Sequence, residues 1–386
     1  MLAGALGAAW SLGVLGVALS PIVIWLWRRA GSRGAAWVLG ACYYLGAAVP
    51  PLVSMGGRGY GDVHGLELVL FAVAASSLIA LAWAACWSSW CSRPSVEGAV
   101  RVIVLLAVTA LPGLGVLGVA SPLTGAGLWL PGWGWLGLMV HTAALATLTC
   151  SVRTMGLWAC LAALGAWQTG HASAHGSSGL QAVRTSSQIA APDDFFAQYH
   201  VALAAQRALP APSQERELVV LGEGLGGLWT NAARRLWAAS RSTRGLPHGT
   251  LILGATQAIY PAPGHRQFDA VAVVLEGGGE TERIVAQRAP MPFVLWRPWQ
   301  RDNGYRAHWL ADGVTTAAGR RVGVVICYEQ LLVFPVLKSV AAGADTLVGL
   351  ANVRGLGGEA VARWQRGAMD AWASLFGLPA VLATNE

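Results

Sequence analysis

Lysine occurs once in 386 residues, as Lys338, and charged residues of all kinds make up only 12% of the chain. A soluble globular protein carries about 25%, so ordinary globularity over the whole length is excluded. Disorder is excluded by the opposite shortage, because it needs abundant charge and few apolar residues, and here 55% of the residues are hydrophobic. There are six cysteines, but no two have the C-x-x-C spacing of zinc or dithiol motifs. No paired acids or bases lie within the apolar runs, which leaves an ion or proton pathway unsupported; Glu67 and His141 read as an end-of-span and a packed residue. The net charge of +7 divides as +4 over residues 1–170 and +3 over 171–386, so no basic patch marks a nucleic-acid partner.

The charges present are unevenly placed. Residues 1–170 hold 7 Arg and 3 acids, and residues 171–386 hold 18 Arg, the single Lys and 16 acids. The first stretch reads as an all-α transmembrane bundle and the second as a soluble α/β domain. Six apolar runs are expected to span: Ala5–Trp27, Ala35–Met55, Leu66–Trp87, Val102–Ala120, Trp133–Cys150 and the shorter Met155–Trp167. Most approach the about 20 residues that cross a bilayer. The loops after the odd-numbered runs carry Arg28, Arg29, Arg33, Arg93, Arg101 and Arg153, and those after the second and fourth carry only Arg58. By the positive-inside rule the odd loops are cytoplasmic and the soluble domain lies outside. Many tryptophans sit near the ends of the runs, Trp83, Trp87, Trp133 and Trp135 among them, as an interfacial belt does.

A Gly/Ser-rich linker, residues 170–179, precedes the soluble part, and its His171 and His175 lack a third metal ligand nearby. Strands are expected at Leu180–Ile189, Glu217–Leu221, Thr250–Ala255, Phe268–Leu275, Glu282–Ala286, Arg321–Cys327, Thr346–Ala351 and Ala380–Ala383. Helices are expected from Asp193 or Asp194 to about Leu209 and over Leu228–Ser240, Leu331–Ala342 and Gly358–Phe376. The alternation makes one α/β domain.

Two constellations carry chemistry. Gly222, Gly224 and Gly227 fit the G-x-G-x-x-G dinucleotide pattern, but no acid stands between Glu223 and Asp269 to hold a ribose. No cofactor and no metal are therefore expected. Glu223 and Cys327 each end a strand, where α/β active sites form. A thiol nucleophile needs a base or a positive field, and a carboxylate with a raised pKa can be that base. From the pattern alone an inert buried cysteine is the favoured reading.

The stretch VGVVICYEQLLVFP, residues 322–335, resembles the nucleophile region of the nitrilase (carbon-nitrogen hydrolase) superfamily. Within it the chain is similar to apolipoprotein N-acyltransferase, and most of all to the TraB proteins of plasmid conjugal transfer. The similarity runs in order through Glu223, Phe268–Leu275, Pro292-Phe293, Cys327, Asn352, Trp364-Gln365 and Ala383-Thr384-Asn385. It implies an αββα sandwich, Glu223 as base, Cys327 as nucleophile and Glu329 as support for the nucleophile region. It also implies a multi-pass protein of the bacterial inner membrane with a periplasmic domain. Membrane lipids, an acyl-donor phospholipid and conjugation-apparatus proteins are the implied partners.

Three departures stand out. Where the family has its oxyanion-stabilising Lys, alignment on Pro292-Phe293 places Gln287; the adjacent Arg288 is the positive charge at hand. The acid expected after Pro-Phe is replaced by Val294, Leu295 and Trp296. The acyltransferase continues past the position of Glu386, so the resemblance implies a C-terminally shortened domain. Three functional expectations remain: a thiol acyltransferase or amidase, a catalytically degenerate scaffold of a transfer apparatus, and a membrane-tethered hydrolase of small amides.

Overall fold

The structure is a computed structural model. It describes residues 1–54, 63–92, 95–147, 179–210, 218–243, 249–276, 281–300, 302–354 and 358–386. The linker histidines and the run Met155–Trp167 lie outside the described residues. The chain groups into two compact units. One comprises Met1–His175, Leu331–Phe334 and Gly355–Leu378, the other Gly176–Gln330, Pro335–Arg354 and Pro379–Glu386.

The first unit is helical. Its longest helices are α4 (Arg33–Ser54) and α5 (Gly65–Cys86), preceded by α1 (Leu2–Ala8), α2 (Val14–Leu19) and α3 (Pro21–Arg28) and followed by α6 (Val96–Ala110), α7 (Ala126–Trp129) and α8 (Gly134–Thr147). Helices α4 and α5 are long and apolar enough to cross a membrane. The first apolar run is not one helix, because it breaks at Gly13, whose φ is +66°, and restarts at Pro21. The run Val102–Ala120 likewise stops at Ala110, before Pro112. Glu67 caps its own helix by accepting from the His64 N–H at 3.0 Å, and His141 is buried with Nε2 3.0 Å from the Pro122 carbonyl.

A helix from the C-terminal half of the sequence, numbered α12 below, packs in this unit over Glu359–Phe376. Glycine makes the close approach possible. A Cβ on Gly127 would lie 1.6 Å from the Ala371 carbonyl oxygen, and one on Gly367 would lie 2.7 Å from the backbone of Gly13. Trp10 and Trp364 meet beside this crossing with tilted rings, 5.9 Å between ring centres.

The second unit is a sandwich of two mixed sheets. The five-stranded sheet orders β1 (Leu180–Ala182), β2 (Leu218–Val220), β3 (Thr250–Ala262), β4 (His265–Glu276) and β5 (Thr281–Ala286) side by side. The four-stranded sheet orders β6 (Val314–Ala317), β7 (Arg320–Ile326), β8 (Thr346–Asn352) and β9 (Ala380–Asn385). Pairs β1–β2–β3 and β7–β8–β9 are parallel, and the outer pairs are antiparallel. Side chains of both sheets, among them Val220, Ile252, Val274, Val324, Leu350 and Val381, share one core. The other face of the five-stranded sheet packs on α9 (Phe195–Ala208) and α10 (Asn231–Thr243) through residues such as Val219, Leu253, Ala202 and Trp237. Helix α11 (Val333–Ala341) follows the nucleophile region. Strands buried on both faces read as unbroken apolar runs, as in Leu218–Leu221 and Val322–Ile326.

Strand β3 comes unusually close to the loop after β2. A Cβ on Gly254 would lie 2.4 Å from the Glu223 Cα and 2.9 Å from the Gly224 N. Those are backbone atoms and cannot swing aside. Gly254→Ala is expected to lower the unfolding free energy of the full-length protein by about 1–3 kcal/mol, as overpacking does. Denaturant titration followed by tryptophan fluorescence reads this, and an unchanged midpoint contradicts the close approach.

Candidate active site

Four chain segments meet at the carboxyl ends of the parallel strands: the loop after β2, and the ends of β7, β8 and β9. The loop after β2 brings Glu223, and its glycines serve that approach. Gly226 N–H donates to the Gly254 carbonyl at 2.8 Å, and a Cβ on Gly222 would lie 3.0 Å from the Ala351 carbonyl. The G-x-G-x-x-G spacing thus has a backbone use within the sandwich.

The end of β7 brings Cys327, with φ +49°. A non-glycine residue in the left-handed region is strained, and such strain concentrates at functional sites. The Cys327 thiol is hydrogen-bonded to the Glu223 carboxyl, and its sulfur also meets the Tyr328 backbone N–H. The sulfur lies 4.0 Å from the Asn352 carbonyl oxygen.

The ends of β8 and β9 hold the glutamate from the far side. Asn352 N–H donates to Glu223 Oε2 at 3.2 Å. Asn385 Nδ2 donates to Asn352 Oδ1 at 3.0 Å, and Asn385 Oδ1 accepts from the Thr185 hydroxyl and the Ser187 N–H, each at 2.9 Å. The two asparagines singled out in the sequence are thereby one network.

Electrostatically the pair is not an ion pair at rest. Burial pushes the Glu223 carboxyl up to about 7, against hydrogen bonds from Cys327 and Asn352 that pull it down. Burial, and then the nearby Glu223 charge, push the Cys327 thiol well above its ordinary value. The resting state is a neutral thiol beside a carboxyl poised near neutrality. A base poised near the working pH is the efficient one for proton transfer.

Glu329 and Arg288 form a separate, buried group. Glu329 accepts from the backbone N–H groups of Arg288, of Ala289 at 3.1 Å and of Ile326 at 3.0 Å. Arg288 Nη2 lies 3.1 Å from Glu329 Oε2 and 2.7 Å from the Val324 carbonyl oxygen. Its Nη1 donates to the carbonyls of Asp312 and Pro335 and to the Ser339 hydroxyl, at 2.7–2.8 Å. Gly313 makes room, since a Cβ there would lie 2.5 Å from the guanidinium. The terminal guanidinium nitrogens are thus spent on structural partners, and neither Glu223 nor Cys327 is among them. The structure brings Glu223 and Cys327 together and places Arg288 with Glu329 as a clamp behind them. Gln287 is also buried, and its Nε2 donates to the Ile326 carbonyl at 2.9 Å. Lys338 donates to the Trp309 carbonyl at 3.1 Å.

Sequence reasoning passed over Tyr305. It sits in an irregular stretch with no periodicity to flag it, and only its pairing beside Phe268 brings it toward Glu223. A second unforeseen group is Asp269, held by Arg306 Nε and His308 Nε2, each at 2.9 Å.

The second unit is thus a two-sheet α/β sandwich that sets a cysteine at the end of β7 beside a glutamate just past β2. The chain is 32% identical to the conjugal transfer protein TraB of Agrobacterium fabrum (strain C58) over 400 residues, 99% of this chain and 90% of that protein. It is 31% identical to the probable conjugal transfer protein TraB of Sinorhizobium fredii over 369 residues, 93% of this chain and 90% of that protein. The chain belongs to the TraB family of conjugal transfer proteins. No protein-family model matches it. Among solved structures it is similar to an amidase from Nesterenkonia sp., with 17% identity, TM-score 0.35 and coverage of 54% of this chain and 76% of that one. It is similar also to a carbon-nitrogen hydrolase from Helicobacter pylori G27, with 14% identity, TM-score 0.36 and coverage of 53% and 72%.

Removing the guanidinium leaves the Glu329 carboxylate buried without its charge partner, which typically costs about 3–5 kcal/mol. Arg288→Met is expected to destabilise the protein by that amount. Arg288→Lys should not rescue it, because an ammonium cannot reproduce the forked contacts. Thermal unfolding of the two variants checks this, and wild-type stability in either contradicts the clamp.

Proposed function

We propose that the protein is a membrane-embedded, thiol-dependent acyl-transfer or amide-cleaving member of the TraB family. The hydrogen bond between the Glu223 carboxyl and the Cys327 thiol carries this reading. Glu223 takes the thiol proton as sulfur attacks an acyl carbonyl carbon. The C–S bond forms while the carbonyl electron pair moves to oxygen. Collapse of that intermediate breaks the bond to the leaving group, which departs with the proton from Glu223. An amine or water then takes the acyl group from the thioester. The Tyr328 N–H, already directed at the Cys327 sulfur, stands where a backbone donor to the oxyanion is needed. Glu329 and Arg288 position the strand end that carries the nucleophile.

Membrane embedding is supported by the outward apolar side chains of the helical unit. Leu66, Leu70 and Leu81 on α5, Val53 on α4, Val96 on α6 and Met139 on α8 are all more than half exposed, a pattern that marks a lipid or partner surface. Arg28 also ties together three chain stretches that the arginine count assigned to one side of the bilayer. It is buried, its Nε donates to the Cys91 carbonyl at 2.8 Å, and its Nη1 donates to the Ala146 carbonyl. In this reading the odd loops face the cytoplasm of the cell and the two-sheet sandwich of the second unit is a periplasmic catalytic domain. Membrane phospholipid is then the acyl donor within reach, and proteins of the conjugation apparatus are the partners that the family name implies.

A second reading is a scaffold of that apparatus that keeps the sandwich without the chemistry. It is favoured by Gln287 at the place of the missing lysine.

Acyl-thioester formation separates the two readings. On exposure of native membranes to a p-nitrophenyl acyl ester, Cys327 should gain a hydroxylamine-sensitive acyl mass, read by peptide mass spectrometry. The scaffold reading predicts none. The acylation rate should rise as pH passes upward through about 7, because the protonated Glu223 that prevails below that pH cannot act as base. Glu223→Gln should remove this limb and slow acylation by about 10²–10⁴-fold, the usual size of a general-base effect.

A further inference from the structure

An acyl-transfer intermediate carries a developing negative oxygen, and hydrogen-bond donors aimed at it supply much of the catalysis. The cationic side chains around the Glu223–Cys327 pair are engaged elsewhere. Arg288 clamps Glu329, Lys338 serves the Trp309 carbonyl, and Arg306 forks onto Asp269 at 2.9 and 2.5 Å. Gln287 spends its Nε2 on the Ile326 carbonyl. Among the described residues, a buried hydroxyl that feels the Glu223 charge is available instead.

That hydroxyl belongs to Tyr305. Its oxygen lies 3.4 Å from Thr256 Oγ1 on β3. Thr256 is two residues beyond Gly254, the residue that abuts the Glu223 Cα, so both point to the same face of the strand. Two residues of a strand span about 6.6 Å, which is the step along β3 from the Gly254–Glu223 contact to Thr256. The backbone of Thr256 holds the loop that leaves Glu223, accepting from the Trp229 N–H at 2.7 Å and donating to the Gly227 carbonyl at 2.8 Å. The phenol thus contacts the strand residue whose backbone holds the segment that presents the base.

Tyr305 is also held rigidly. Its N–H donates to the Leu295 carbonyl at 3.0 Å. On either side, Phe268 N–H donates to the Gly304 carbonyl at 3.0 Å and Arg306 N–H to the Phe268 carbonyl at 2.9 Å. The ring packs on Phe268 at 5.6 Å between centres. Burial, with a smaller push from the Glu223 charge, keeps the phenol protonated and hence a donor. When the Thr256 hydroxyl donates to the phenol oxygen, the phenol proton is left to point into the site.

We propose that Tyr305 is a catalytic residue whose hydroxyl donates a hydrogen bond to the oxyanion formed when Cys327 attacks an acyl carbonyl. The inference rests on the thioester reading above. It assigns to a neutral phenol on the loop after β5 the donor role for which no lysine is present. The matching substrate is an uncharged acyl compound, an ester or amide, whose carbonyl oxygen meets the Tyr328 N–H on one side and the Tyr305 hydroxyl on the other.

Two reagents on the full-length protein test this. Iodoacetamide alkylates Cys327 by displacement at a saturated carbon and forms no oxyanion. p-Nitrophenyl butyrate acylates the same sulfur through one. Tyr305→Phe is expected to slow acylation by about 10²-fold, the size of one lost oxyanion donor, and to leave iodoacetamide alkylation unchanged. Thr256→Val is expected to slow acylation in the same selective way. Equal slowing of both reactions in Tyr305→Phe makes the residue a packing element and overturns the proposal, as does an unaltered acylation rate. A wild-type protein that is alkylated but never acylated overturns the thioester reading itself, and the Tyr305 role with it.

Discussion

Everything at the site hangs on one buried carboxylate that faces away from it. Glu329 gathers the N–H groups of Arg288 and Ala289, just past β5, and of Ile326, at the end of β7. Those strands belong to different sheets, so a single side chain fixes the distance between the two layers at the edge where the chemistry sits. The Arg288 guanidinium neutralises it in the same place. A carboxylate so deeply buried survives only with a paired charge and filled lone pairs. Here both conditions are met, and the strained backbone of Cys327 begins one residue beyond.

Once that edge is fixed, a second carboxyl can be left deliberately underpaired. Glu223 has the Asn352 N–H and the Cys327 thiol, but among the described residues no cation. Burial raises its pKa against the pull of those hydrogen bonds, and burial together with the Glu223 charge raises the thiol's. These two glutamates thus divide the work by environment: Glu329 is tied to Arg288 and three backbone N–H groups as a structural element, and Glu223 is poised to gain or lose a proton. A site built this way keeps its nucleophile protonated until a substrate arrives, instead of storing a thiolate.

The sequence was legible where burial writes a pattern and opaque where contacts decide. Strands β7 and β8 are covered on both sides and read as apolar runs with Cys327 and Asn352 at their ends. Glu223 was visible because it follows such a run. The long β3–β4 hairpin was not, because its outer half carries Pro261 and Pro263, which read as breaks, although the pairing continues to Ala262 and His265. Strand β1 stops at Ala182, well short of the expected Ile189, and the four-residue β6 has no pattern long enough to see. In the helical unit, the first apolar run looked like one span. It breaks at Gly13 because the backbone of α12, more than 340 residues later, lies against that glycine. Arg288 was conspicuous for its charge, but charge alone did not say that carbonyls would consume it. Tyr305 gave no signal at all.

The central claim is that Glu223 and Cys327 form one coupled acid pair at the heart of a working site. The alkylation rate of Cys327 against pH, in native membranes and by peptide mass spectrometry, tests it most directly. The account predicts an inflection above the about 8.5 of a free thiol. It predicts that Glu223→Gln moves that inflection downward, because the charge and the hydrogen bond that hold the proton on sulfur are gone. An inflection below 7 in the wild type, or one that the substitution leaves in place, contradicts the pairing.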